Sequence, residues 1–169
     1  MPVFEPINSI IISWLGPFKL DELDRDNDPN VIYLIAGKKK YGRKVKVLYV
    51  GLTKRTAYQR ISEHKRSPNK ANIRWDTVEI WIGYIQHPAP CDAKTLGLVE
   101  HYLIHYSLPE LNDKKQSRPT RAACVVSQWR KKDTEPYLHK QPIHEGLPDV
   151  IWWDKSHWRC GNLSVRRGE

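Results

Sequence analysis

The sequence predicts an α/β fold of the α+β kind, a small domain with a central three-stranded, mostly antiparallel sheet flanked by helices and with extensions at both ends. Three observations predict it. Two runs rich in Val, Ile, Leu and Tyr, at 31 to 36 and 45 to 51, are separated by the basic segment GKKKYGRK, the pattern of a hairpin with a longer loop. The segment KRTAYQRISEHKR then changes to helical spacing, with Ala57, Arg60, Ile61 and His64 at i, i+3, i+4 and i+7 of one face. A third alternating run, DTVEIWIGYI, is followed by a second helical stretch at 94 to 106.

Residues 1–29 are expected to form an N-terminal extension. It begins with an apolar turn or short helix, INSIIISWLGPF, and continues as the acidic stretch DELDRDNDPN, whose Asp-Pro-Asn end reads as a turn. This stretch lacks the central glycine and closing glutamate of a calcium loop, so a solvated connection is expected. The hairpin strands follow. Thr53 or Thr56 can cap the first helix, and Ser67-Pro68 ends it. In the third strand Val78, Ile80, Ile82 and Tyr84 alternate with Thr77, Glu79, Trp81 and Gly83. The prolines of QHPAPCDA then interrupt regular structure.

The second helix, KTLGLVEHYLIHY, is apolar almost all round and ends before SLPELN. Glu100 lies within its apolar face, four residues after Leu96 and three before Leu103. A carboxylate there needs a cation, a metal or hydrogen-bond donors, because burying it unpaired is costly. Residues 114–169 read as a basic, Trp-containing C-terminal extension packed on the same domain, with a helix or strand around Ala122 to Val126. The core domain is therefore expected over residues 30–113.

The chain has 169 residues, the size of one ordinary domain. No run of 18 apolar residues and no signal-peptide pattern is present, so no membrane association and a cytoplasmic location are expected. Three scattered cysteines, Cys91, Cys124 and Cys160, indicate neither a disulfide framework nor a Cys-rich zinc site. A net charge of +9 favours a polyanionic partner, although basicity alone does not identify one.

Taken in order, VIY, YVG, QRISEH, LVEHYLI and LN resemble the motifs of the GIY-YIG nuclease superfamily over roughly residues 30 to 113. Val31 stands in place of the first triplet's glycine, and Val50 in place of the second triplet's isoleucine. The resemblance implies catalytic roles for Tyr33, Tyr49, Arg60, His64 and Glu100. Tyr33 would be the general base, Tyr49 would position water or phosphate, and Glu100 would bind Mg2+ or Mn2+. Gly51 and Asn112 would be structural.

Elementary chemistry is consistent with those roles. Phosphodiester hydrolysis needs an activated water and neutralised charge on the phosphoryl oxygens. One carboxylate suffices for an ion that keeps several waters and takes further oxygens from the substrate. A guanidinium such as Arg60 donates to phosphate oxygens, while His64 is placed to accept a proton, bond a tyrosine or contact phosphate. A lone strand tyrosine is ordinarily a packing residue, and an Arg/His pair one turn apart is ordinarily a solvated face. Only their joint order points to a site.

Lys54, Arg55, Lys65 and Arg66 flank the expected site, and Lys114, Lys115, Arg118 and Arg121 lie in the basic segment 114–132; both groups are candidates for nucleic-acid contact. His101 and His105, four apart on one helix, lack a third metal ligand at a readable spacing. The expected function is a metal-dependent DNA endonuclease with a restriction or phage-defence role. Cutting both strands with one site per chain calls for a homodimer or two successive events. A non-cleaving nucleic-acid-binding module and a nuclease toxin are the alternatives.

Overall fold

The apolar runs become strands and helices in a computed structural model of the chain, which describes residues 1, 5–26 and 30–168. Its strands are β1 (Asn8–Phe18), β2 (Val31–Gly37), β3 (Lys46–Thr53), β4 (Glu79–His87), β5 (Ala123–Arg130), β6 (Val150–Trp153) and β7 (Trp158–Gly161). The helices are α1 (Ala57–Arg66) and α2 (Ala93–Ser107), joined to the strands by short 3-10 turns and loops. Within the acidic stretch, Asn27, Asp28 and Pro29 lie outside the described residues, and with them most of the expected Asp-Pro-Asn turn.

The α+β class holds, but the expected three-stranded sheet is replaced by a single mixed sheet of seven strands in the order β3-β2-β4-β1-β5-β6-β7. β2, β3 and β4 pair antiparallel within it. The sheet widens because the segment expected to be a turn or short helix is instead β1, eleven residues long. β1 runs antiparallel to β4 and parallel to β5, bonded on both sides. A strand in that position can be apolar continuously rather than alternately, and the run SIIISWL therefore does not distinguish strand from helix. On the other side of β1, the 114–132 segment contributes β5, whose Ala123, Val125, Ser127 and Trp129 are buried.

Two cores cover the two faces of the sheet. Tyr33, Ile35, Leu48 and Ile80 pack with Ala57 and Ile61 of α1. Ile32, Leu34, Val50 and Trp81 pack with Leu96, Val99 and Leu103 of α2, together with Ile12, Trp14 and Trp129. The β2–β3 register slips once, with Ile35 opposite Tyr49 but Ala36 opposite Val47. Leu48 is the extra residue, so Leu48 and Tyr49 both serve the α1 face.

β3 is an outer strand, and its outward backbone groups are satisfied by side chains and a loop instead of another strand. Asn112 accepts from the Val50 N–H at 2.9 Å and donates to the Val50 carbonyl at 2.8 Å. The Leu111 N–H donates to the Leu48 carbonyl at 3.2 Å, and Glu100 accepts from the Leu52 N–H at 3.1 Å. These contacts close an edge that would otherwise template pairing with another chain. They also bring the second helix and the loop after it to the strand that carries Tyr49.

Candidate active site

Strand register sets the first contacts. Tyr33 lies directly opposite Gly51, and both tyrosines project to the α1 face, with ring centroids 6.0 Å apart. A Cβ on Gly51 would lie 2.5 Å from both Cζ and Oη of Tyr33 and 2.7 Å from Cε1 of Tyr49. The glycine is therefore required by the two phenol rings, not by its own backbone angles.

Thr56 caps α1 by accepting from the Gln59 N–H at 3.3 Å, and the helix lays Ala57, Ile61 and His64 onto this face. His64 Nε2 lies 2.7 Å from the Tyr33 hydroxyl, and its ring centroid is 4.6 Å from that of Tyr49. Burial pushes the Tyr33 hydroxyl far above the ordinary phenol range. Burial, reinforced by the charges of Arg60 and Lys70, lowers His64 to about 4. Both groups are thus neutral near pH 7, and in the tautomer that leaves Nε2 unprotonated Tyr33 donates its O–H to His64.

Arg60 sits one turn before His64 and half-exposed, where it bonds Glu63 at 3.1 Å. Burial alone would lower its pKa, but Tyr33, Glu63 and Tyr49 hold it above the ordinary value. Tyr49 is also raised, chiefly by burial, with Arg60 opposing the rise and Glu100 adding to it. The Glu100 charge raises Tyr33 as well, so its field reaches both phenols.

Glu100 is nearly covered, with 13% of its side chain exposed. One oxygen accepts from the β3 backbone, and the other forms an ion pair with Lys115, whose ammonium also donates to the Gly97 carbonyl at 3.2 Å. Lys115 has a positive φ of 60°, a conformation that carries the chain back over α2. The carboxylate has therefore found a cation from the same chain, a partner that the residue spacing alone does not reveal.

Sequence reasoning also missed Lys70. Its ammonium stands 4.5 Å from the Tyr49 ring centroid and donates to the Leu111 carbonyl at 3.1 Å, tying the 3-10 turn after α1 to the loop that presents Asn112. Burial lowers its pKa. No motif marks this lysine; SPNK reads only as a helix stop.

The structure thus brings Tyr33, Tyr49, Arg60 and His64 together, sets Glu100 within electrostatic reach and places Gly51 and Asn112 against the same strand. The basic candidates separate. Lys54, Lys65 and Arg66 are exposed, whereas Arg55 is held by Glu63 at 2.8 Å. Lys114, Arg118 and Arg121 are exposed, and Arg118 lies 6.0 Å from the Trp153 ring centroid. Lys115 is engaged by Glu100. Of the helical histidines, His101 bonds the Ser117 carbonyl at 2.7 Å and His105 accepts from Trp158 Nε1 at 2.9 Å. Among the described residues no cluster of three or more His, Cys, Asp or Glu side chains is placed to hold a metal, and no helix is long and apolar enough to cross a membrane.

Comparison with protein-family models, with curated proteins and with solved structures gives no match for this chain.

Proposed function

We propose that the chain is a divalent-metal-dependent endonuclease of the GIY-YIG kind, hydrolysing phosphodiester bonds in DNA. One observation carries the reading. Two phenols, an imidazole and a guanidinium from three elements converge on one face, with a carboxylate from a fourth element in electrostatic reach. For a packing role alone, a buried tyrosine hydroxyl needs only one partner. A permanent cation at 39% side-chain exposure beside two phenols is suited to an incoming phosphate.

In this mechanism Arg60 binds the non-bridging phosphate oxygens. The water oxygen bonds phosphorus as the P–O bond to the leaving sugar oxygen breaks. The water gives a proton to Tyr33 Oη as Tyr33 passes its own to His64 Nε2, and the leaving oxygen takes a proton from solvent. His64 afterwards returns its proton to solvent, so no buried phenolate is left. Substrate phosphate raises the proton affinity of His64, offsetting the lowering by Arg60 and Lys70. Tyr49 orients the water. Glu100 has the hard oxygen chemistry that Mg2+ or Mn2+ prefers, and its outer oxygen already seats a cation, the Lys115 ammonium. Glu100 would hold the metal once Lys115 withdraws, and the metal would supply charge neutralisation at the phosphate and help activate water.

The same ion pair favours one competing reading. A carboxylate satisfied by its own lysine suits a module that binds nucleic acid without cutting it. Incubating the wild type, Glu100→Gln and Tyr33→Phe with supercoiled plasmid, with and without Mg2+, separates the two. Mg2+-dependent nicking or linearisation that both variants lose is expected. Plasmid retarded on a gel but intact in every lane would establish the non-cleaving module. A restriction or phage-defence role and action as a homodimer are the corresponding proposals at the level of biology.

A further inference from the structure

Six cations stand within nine residues at 38–46, and none of them belongs to the site built above. Five occupy the loop between β2 and β3 and Lys46 opens β3; the loop is fastened to the chain ahead of β4. Lys40 donates its N–H to the Asn72 carbonyl at 2.8 Å, and the Lys38 carbonyl accepts from Arg74 at 2.9 Å. Lys39 bridges Ile73, and Gly42 closes a turn onto Lys39 at 2.9 Å. The first flank of the loop is thereby tied down, and Tyr41, Arg43 and Lys44 project from the turn that follows it.

These side chains border a groove of about 590 Å3, which reaches Leu48 of β3 and Glu110. Lys39 and Lys46 spend their charge on Glu110. Lys40, Arg43 and Lys44 are exposed, with no carboxylate in ion-pair reach among the described residues. Tyr41 stands among them 89% exposed, its ring centroid 5.8 Å from Lys40 Nζ. Like charges so close repel, and an exposed ring gains nothing from folding. A ligand carrying repeated anions beside flat aromatic faces satisfies both at once, and a nucleic-acid strand is such a ligand.

Position gives the surface a direction. Lys46 opens β3 only three residues before Tyr49, roughly 10 Å of extended chain. Glu110 lies two residues before Asn112, on the loop that caps the same strand. A strand seated in the groove therefore leads along β3 toward the two phenols.

We infer that the β2–β3 hairpin is a strand-gripping surface that takes single-stranded DNA or the frayed end of a duplex, with Lys40, Arg43 and Lys44 on phosphates and Tyr41 stacked on a base. The inference rests on the endonuclease reading for its choice of DNA. It differs from the contacts expected at 114–132, which lie beyond α2 in the chain.

Binding of the full chain to a fluorescent single strand of about 20 nucleotides, followed by anisotropy in EDTA across a salt series, tests it without cutting. Tyr41→Ala is expected to weaken binding about tenfold or more, while Tyr41→Phe keeps the wild-type affinity. The triple variant K40A/R43A/K44A is expected to reduce the salt slope by about 2, three phosphates at about 0.7 each. All four side chains project from the surface, so the melting temperatures should match the wild type. Wild-type affinity and slope in Tyr41→Ala and in the triple variant would overturn the hairpin's role while leaving the endonuclease reading intact. A wild type that does not bind the single strand would overturn the hairpin's role and leave the endonuclease reading to the plasmid assay, and at least tenfold tighter binding to the equivalent RNA would overturn the assignment to DNA.

Discussion

Tyr33 and His64 form a neutral pair because neither can afford its charge where it sits, and this couples the site to pH. His64 is 7% exposed, and its pKa is about 4 in the fold against an ordinary 6.5. The folded chain therefore binds fewer protons than the unfolded chain between those values, and stability rises with pH across that window. As pH falls from about 6.5 to about 4, the His64 contribution should be lost progressively, by about 3 kcal/mol at most. Urea unfolding of the wild type and His64→Gln at pH 7 and pH 4.5 reads this directly: the variant should lose less stability between the two pH values than the wild type does. Gly51 gives a steric counterpart. Gly51→Ala places a methyl 2.5 Å from a phenol that is fully buried and cannot turn away. A loss of about 1–3 kcal/mol is expected from overpacking, with Tyr33 displaced from His64. Equal stability of variant and wild type in denaturant would show that the rings have more room than their contacts indicate.

At the scale of elements, the hairpin, α1, β4 and α2 were legible because each has its own period and its own stop. Thr56 does cap α1 and Ser67-Pro68 ends it, one of the two caps the sequence allowed. β6 and β7 were not legible, since four-residue strands among prolines show too little alternation to count. The order Tyr, Tyr, Arg, His, Glu and Asn identified the residues that gather around β3. It contained no trace of the Lys115 and Lys70 contacts, which depend on how loops return over the fold. Asn112 shows what a loop residue can replace: Asn112→Ala leaves a buried N–H and carbonyl of Val50 without partners, and an equilibrium loss of about 2–4 kcal/mol is expected in denaturant. The Lys115 ammonium occupies one oxygen of Glu100. If the ammonium and a divalent ion compete for the same oxygen, Lys115→Met should bind Mn2+ more tightly than wild type, by about tenfold for a coupling near 1.4 kcal/mol. Titration followed by Mn2+ electron paramagnetic resonance measures this without turnover, and weaker binding in the variant would mean that Lys115 orients the carboxylate for the ion.

At the scale of the whole molecule, the motif-bearing stretch 30–113 is embedded in a sheet that it does not complete. β1 stands between β4 and β5, so the residues before the motifs join them to the residues after them. Among the described residues, ten of the twenty-one buried in the α2-side core lie outside 30–113, including Trp14, Trp129, Ile151 and Trp153. Trp14 also rests on Gly83, where an added Cβ would meet its ring at 2.5 Å, so β1 and β4 have the close fit of a permanent interface. Removing the flanks would strip β4 of one hydrogen-bonded neighbour and expose Ile32, Leu34 and Trp81 on a face that α2 alone cannot cover. Each large apolar side chain left in water forfeits about 1.5–3 kcal/mol, so a few such losses match the entire stability of an ordinary domain. A fragment of residues 30–113 is therefore expected to lack a cooperative thermal transition and near-ultraviolet tryptophan ellipticity, whereas the full chain shows both. A fragment that melts cooperatively would mean that the α1-side core, with the Tyr33 and His64 pair inside it, holds the site together without the wider sheet.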